Sequence, residues 1–535
     1  MTMSLRFVLL LLVISFFSFY PGVTSIPVTN GDEAHFAQAS KQMIETGDYL
    51  KINFQKKPRH LKPPGIYWLQ SGITKVSQAV PYNKIFSYRL PSLFSAIAVV
   101  LLLYFIFSSM VGCSAALLAS LILSITLLMK FEASFATTDA TLCLSIYLMQ
   151  AALCKIYLND RKKAVWPIIF WLALSASIII KGVGPLFALS TIIALYVFDR
   201  DARWLKRLYA PIGIPFVVIV TLAWLIPFSQ SGQSNFLWDM IHGDVLPKLV
   251  GGQQKHGQVP GYYLMLLPIL FWPMSLYLVD TGVFAFKHRK QAIIRFLIAW
   301  ILPSWLIFEC LPTKLPHYVL PVFPAIALLV AICITQAECH RDKATLILAS
   351  VIWFLYNALF AGVFVAFYFM FHASGMVVAM LVGIVLLNAF ISYYGYLKDK
   401  NRIAIVSSII AGVLLYTLVF DNLLPNTTSL WITRNVATII EKSHSHPRVL
   451  LSSGLDEPSL VFSLGTTQVR LLSFEELEKS ISHASPLALI NSDNLKKLKS
   501  FASKRKFKLM IIDTIRGFDY NHGHWKQLIL LKKID

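Results

Sequence analysis

Two adjacent carboxylates, Asp32-Glu33, stand just past the first apolar run, in Asn30-Gly31-Asp32-Glu33-Ala34-His35. A second polar cluster follows as His60-Leu61-Lys62-Pro63-Pro64-Gly65. A carboxylate can take a proton from an attacking hydroxyl, and an ammonium can hold a phosphate leaving group. Further ionisable residues punctuate the ends of apolar runs: Arg89, Asp139 in Thr138-Asp139-Ala140, Lys181 in Lys181-Gly182-Val183-Gly184-Pro185, and Lys314 in Pro312-Thr313-Lys314-Leu315-Pro316-His317-Tyr318. Each also has a plain structural reading. Asp32 and Asp139 suit helix starts, and a lysine near lipid can snorkel to headgroups. However, a charge at the mouth of a membrane span is costly against lipid, so it faces protein or water. Cations and carboxylates gathered on one face suit a phosphate-bearing lipid and a proton-accepting acid. The segment 228–261 adds Trp238, Asp239, His242, Asp244, Lys248 and His256, and reads either as a lid over a cavity or as an ordinary loop. His60, His242, His256 and His317 offer imidazoles for a divalent metal, but no tight His-x-x-x-His spacing supports one.

The elements that must hold these residues are apolar. The chain has 535 residues, of which 56% are hydrophobic and only 14% charged. Soluble domains carry roughly 25% charged residues. Apolar runs fall near 7–24, 88–109, 112–130, 138–156, 164–180, 184–198, 208–227, 262–282, 294–309, 318–336, 346–371, 375–396 and 403–423. The composition therefore predicts an α-helical polytopic membrane protein of about 13 spans. Met1 to Ser25 also has the look of a signal peptide; either reading leaves residue 30 on the outer side.

The net charge of +21 finds its use in topology rather than in nucleic acid. Basic clusters at Arg161-Lys162-Lys163, Arg200 to Arg207, Lys287 to Lys290, Arg341 with Lys343, and Lys398 to Arg402 lie on alternate short loops. Basic loops stay in the cytoplasm, so the N-terminus is predicted cytoplasmic and the segments 25–87 and 228–261 face outward. The stretch 1–423 reads as the membrane domain. Residues 424–535, with strand-like Arg448 to Leu451, Phe507 to Ile512 and Trp525 to Lys532 and a basic helix near 494–504, read as a small C-terminal α/β domain on the outer, periplasmic side. The six cysteines show no pairing pattern and read as packing residues. Nucleotide-binding motifs are missing, which points to a membrane-borne activated donor.

Taken in order, Asp32-Glu33-Ala34, Thr46-Gly47-Asp48, Lys62-Pro63-Pro64 with Tyr67-Trp68-Leu69, Arg89-Leu90-Pro91-Ser92, Thr138-Asp139-Ala140, Lys181-Gly182, Pro312 to Pro321 and Asp456-Glu457-Pro458-Ser459 resemble a known family. The chain is similar to bacterial GT-C polyprenyl-phosphate-dependent glycosyltransferases, in the branch of the 4-amino-4-deoxy-L-arabinose lipid A transferases and protein mannosyltransferases. The resemblance implies an inner-membrane enzyme using an undecaprenyl phosphate-sugar donor and lipid A or a related envelope acceptor, with inversion at the anomeric carbon. It implies Asp32, with Glu33, as the catalytic carboxylates, and Lys62, Arg89 and Lys314 as ligands of the donor phosphate. Asp139, Lys181, His60, Lys248, His256, His317 and Tyr318 are further site candidates. The family places a Glu before the Lys-Pro pair, where it helps hold a metal; here that position is Leu61. Two other readings use the same residues: a protein O-mannosyltransferase-like enzyme, and a lipid or solute transporter without covalent chemistry.

Overall fold

The computed structural model describes residues 5–159, 165–231, 235–250, 257–336, 342–442, 449–483 and 487–534. Among them, eight helices are long and apolar enough to cross a bilayer, from Phe86–Val111 to Asn401–Asn426. A bent pair, Cys113–Ile125 and Leu127–Ser134, makes a ninth if counted as one span, and three shorter apolar helices are Leu5–Phe19, Val165–Ile180 and Gly184–Asp199. The chain is a membrane protein. The run expected at 262–282 is not one helix. It divides into Tyr262–Leu270 and Leu278–Lys287, with Pro273 between them unable to donate a helical hydrogen bond.

The bend of 61° at Thr126 has a visible anchor. Lys130, buried in the second half of the pair, donates to the carbonyls of Phe19 and Pro21 and to Ser134 Oγ, and lies 4.2 Å over the Phe420 ring. One ammonium thus ties the exit of the first helix to the bend. Of the cysteines, Cys113, Cys143, Cys154 and Cys310 are free. Cys333 is disulfide-bonded, which corrects the expectation of six packing residues.

Beyond the last span, five strands form a mixed sheet. Their order is Val469–Leu471, Leu450–Ser453, Leu487–Asn491, His524–Ile534, Lys508–Asp519. The first three run parallel, and the last two form an antiparallel hairpin. Alternation along His524–Ile534 fills both faces. Leu528 and Leu530 join Ile432, Val436 and Leu460 on one side, and Ile529 and Leu531 join Leu477, Ile481 and Leu498 on the other.

This sheet unit docks on the helix Asp32–Thr46 and the short hairpin after it. Gln55 Nε2 donates to the carbonyls of Thr466 (3.1 Å) and Val469 (2.7 Å), and Gln38 Nε2 to Thr466 Oγ1 (2.8 Å). Lys41 reaches the Phe462 carbonyl, and the backbone N–H of Asn30 donates to Tyr520 Oη.

Candidate active site

Gly31, at φ +90°, turns the chain into the helix Asp32–Thr46, a conformation glycine adopts without penalty. Gly31 takes the cap position, so Asp32 is the first helical residue and not the cap. Its side chain is 68% exposed, with Arg59 Nη2 at 3.9 Å. Glu33, one residue on, turns inward and is buried. Arg89 grips it through two bonds, Nε to Oε1 (2.7 Å) and Nη2 to Oε2 (2.8 Å), while Thr29 and the Ala136 N–H complete its shell. Burial alone would raise the Glu33 carboxyl; the Arg89 guanidinium and these hydrogen bonds outweigh it and hold the group below its ordinary value.

The remaining N–H groups of Arg89 are spent on the carbonyls of Gly22, Val23, Ile26 and Pro27. Neither residue has a bonding direction left for a substrate. This corrects the expectation of Glu33 as a catalytic carboxylate and Arg89 as a phosphate ligand: the pair is a buried latch tying together the first helix exit, the Asp32 helix and the Phe86–Val111 helix. Lys314 departs in a similar way. It is buried and donates to the carbonyls of Gln258 (2.8 Å) and Leu311 (2.7 Å), joining two loop segments rather than presenting its charge.

The other cations converge. Lys62, held outside helical geometry by Pro63-Pro64, pairs with Asp244 Oδ2, and Lys248 pairs with Asp244 Oδ1 at 2.6 Å. Between them Leu61 lies against Gly243, where an added Cβ would meet Leu61 Cδ2 at 3.4 Å. His60 Nδ1 bonds Asp239 at 2.7 Å on the same pair of segments. Lys181, in the turn after Val165–Ile180, pairs with Asp139 Oδ1 at 2.6 Å and lies 5.4 Å from the Tyr318 ring centre. His317 is the hub. Its imidazole is 3.9 Å from both Glu132 and Asp139, and it feels the charges of Lys181, Asp32 and Lys248. Tyr67 likewise feels Asp32, Arg59 and Asp244. Asp32 and Lys62 therefore belong to one electrostatic cluster.

The cluster is short of negative charge around Lys62. Burial, then Lys248 and Lys181, push its ammonium down to about 7 despite Asp244. Burial disfavours the charged forms of Asp244, Lys248 and Lys181 too, but ion pairing wins in each: Asp244 is held low, and both lysines are held high. Four buried polar atoms here, Arg59 Nε, His60 Nε2, Tyr67 Oη and Tyr318 Oη, make no hydrogen bond within the protein. Orphaned buried donors and acceptors are rare in folded proteins and call for a partner such as water, an ion or a ligand.

The donor set does not fit a divalent metal. Among the described residues no group of three His, Cys, Asp or Glu side chains is arranged to hold a metal ion: Glu132 and Asp139 stand 3.9 Å from His317, too far to share one ion with it at bonding distance, and position 61 offers a leucine. His256 lies outside the described residues. A separate cavity of about 460 Å³, lined by Ile26, Lys84, Trp431, Glu457 and Tyr520 among others, separates the sheet unit from the span mouths and shares no residue with the cationic cluster. Reading the sequence passed over Arg59 and Glu132, and named Asp239 and Asp244 only as members of the 228–261 segment, without a role of their own. Glu132 carried a signal, a carboxylate inside an apolar run; Asp244 carried another, four residues before Lys248.

Against this geometry the solved structure of ArnT from Cupriavidus metallidurans superposes with a TM-score of 0.77 at 17% identity, covering 98% of this chain and 97% of that one. The fold is the GT-C fold. An archaeal oligosaccharyltransferase from Archaeoglobus fulgidus matches with a TM-score of 0.52, 11% identity, over 93% of this chain and 70% of its own. The family described as dolichyl-phosphate-mannose-protein mannosyltransferase matches residues 61–226. Among sequence relatives, an Aquifex aeolicus protein is 24% identical over 77% of this chain and 79% of its own. An undecaprenyl phosphate-α-4-amino-4-deoxy-L-arabinose arabinosyl transferase of Pseudomonas fluorescens is 26% identical over 61% of this chain and 59% of its own. The match spans less than two thirds of that transferase's length. The chain thus resembles GT-C glycosyltransferases in sequence and shares their fold. Within this GT-C fold the charges gather where segments between helices meet: the start of the Asp32 helix, the 59–62 segment, the 181–184 turn, the 239–248 segment and the 316–318 turn.

Proposed function

We propose that this chain is an integral-membrane glycosyltransferase that moves a sugar from undecaprenyl phosphate to lipid A or a related envelope acceptor. The observation that carries the reading is the joint hold of Lys62 and Lys248 on Asp244, with Lys181 and His317 on Asp139 and an exposed Asp32 beside Arg59, on a GT-C fold. Asp32 takes the proton of the acceptor hydroxyl as its oxygen attacks the anomeric carbon from the face opposite the phosphate. The sugar–phosphate C–O bond breaks with its electrons leaving on phosphate, and the Lys62 and Lys248 ammoniums stabilise that developing charge. Attack opposite the leaving group inverts the anomeric configuration.

The same reading places the protein in the bacterial inner membrane, with the N-terminus cytoplasmic. Residues 1–423 form the transferase domain, and 424–535 form a periplasmic domain seated on the Asp32 helix. The sugar is not restricted to aminoarabinose, since Leu61 replaces the Glu that the family places before the Lys-Pro pair. A protein O-mannosyltransferase-like acceptor is the second reading, favoured by the mannosyltransferase family match over 61–226.

Purified protein supplied with polyprenyl-phosphate-linked sugars and lipid A tests the proposal, with the product mass as the readout. Asp32→Asn should lower turnover by about 10²–10⁴-fold, the usual contribution of a positioned general base, while still binding undecaprenyl phosphate. Wild-type turnover in that variant removes Asp32 from the chemistry. A deletion strain should lose one defined sugar mass from lipid A; loss from an envelope protein instead selects the second reading.

A further inference from the structure

We infer that Asp244 is a built-in stand-in for the donor phosphate: its carboxylate fills the anion seat between Lys62 and Lys248, and the phosphate binds by taking its place. The inference rests on the proposed donor. Each Asp244 oxygen is held by a different ammonium, Oδ2 by Lys62 and Oδ1 by Lys248. Two oxygens of a phosphate can be held by the same two ammoniums, so carboxylate and phosphate compete for one seat. Lys181, already paired with Asp139, adds positive potential to both lysines.

Asp244 is also placed to let go. It lies in the π-helical turn Ile241–Val245, wedged between the short helices Phe236–Met240 and Leu246–Val250. Such turns are rare and often found at functional sites. Ile241, His242 and Gly243 beside it are exposed, so a displaced carboxylate has water to enter. Without an anion in the seat, Lys62 and Lys248 would face each other unneutralised beside Lys181, which buried groups avoid at high cost. The carboxylate removes that repulsion in the donor-free protein. The consequence is a built-in penalty on donor affinity, because a protein whose competent state is only partly populated binds more weakly by that fraction.

The test is direct binding of undecaprenyl phosphate to the full-length protein in detergent, with the donor KM read beside it. Read at pH 6, because loss of the carboxylate pushes the Lys62 ammonium lower still, Asp244→Asn should lower the dissociation constant about fivefold or more as the competent fraction rises. Asp244→Glu, which keeps the charge, should stay within about twofold of wild type. A merely structural Asp244 predicts the opposite sign, weaker binding in the Asn variant, and that result or unchanged binding overturns the inference. Failure of both Asp244→Asn and Asp244→Ser to fold also overturns it, since the carboxylate would then be part of the scaffold. Wild-type protein that binds no undecaprenyl phosphate would instead sink the transferase reading on which this rests.

Discussion

Lys62 carries the pH dependence of the site. Its ammonium is pushed down to about 7 by burial and by Lys248 and Lys181, with Asp244 opposing. The neighbouring groups stay fixed near neutrality: Asp244 is held ionised, and Lys181 and Lys248 are held protonated. Only the protonated form of Lys62 attracts an anion, so donor binding is strongest below pH 7 and declines as pH rises through it. A sugar-phosphate diester keeps one charge throughout that window. The donor KM should therefore rise from pH 6.5 to 8.5, approaching tenfold per unit at the upper end. Lys62→Arg, charged at every accessible pH, should flatten the profile; a slope that persists in that variant assigns the titration to another group.

At the scale of elements, the Glu33–Arg89 latch decides where the Asp32 helix sits. Its two carboxylate oxygens and the guanidinium N–H groups bind the first helix exit, the Asp32–Thr46 helix and the segment before Asp139 into one corner. Removing one partner of a buried, fully bonded pair leaves a charge without compensation and costs about 3–5 kcal/mol. Glu33→Gln should thus lower the thermal midpoint in detergent well below that of Asp32→Asn, whose side chain is exposed. Equal midpoints for the two variants would return Glu33 to the list of dispensable surface groups. The adjacent acids were alike in the sequence. A helix start separates neighbouring side chains by about 100°, so one faces the charge cluster and the other faces Arg89.

At the scale of the whole molecule, sidedness and the docked sheet unit belong together. Gln38, Lys41 and Gln55 hold the sheet unit against the same segment that carries Asp32 and Lys62. The proposed topology puts that whole assembly outside. With Cys310 replaced by Ser, Ser500→Cys on the exposed side of the helix Leu495–Lys504 should react with a membrane-impermeant maleimide in spheroplasts. Lys290→Cys should react only after permeabilisation. The reverse pattern would invert the topology, place the charge cluster in the cytoplasm and overturn the proposed sidedness.

Much of this architecture is written in one dimension. Hydropathy marked most spans because lipid cannot satisfy a bare backbone, and the strand-like runs Phe507 to Ile512 and Trp525 to Lys532 marked the terminal hairpin. Lys62 before Pro63-Pro64, Lys181 before Gly182-Val183-Gly184-Pro185 and the acid at Asp139 announced ionisable groups at span mouths. Partner choice was not legible. Arg89 and Lys314 carried the same kind of signal as Lys62, yet Arg89 is consumed by Glu33 and four carbonyls, and Lys314 by two carbonyls. Composition and periodicity settle which residues leave water. Which of those buried charges finds a full set of partners, and which is left with a seat for a ligand, depends on contacts between segments far apart in the chain, such as Lys62 with Asp244, and only the folded chain brings those together.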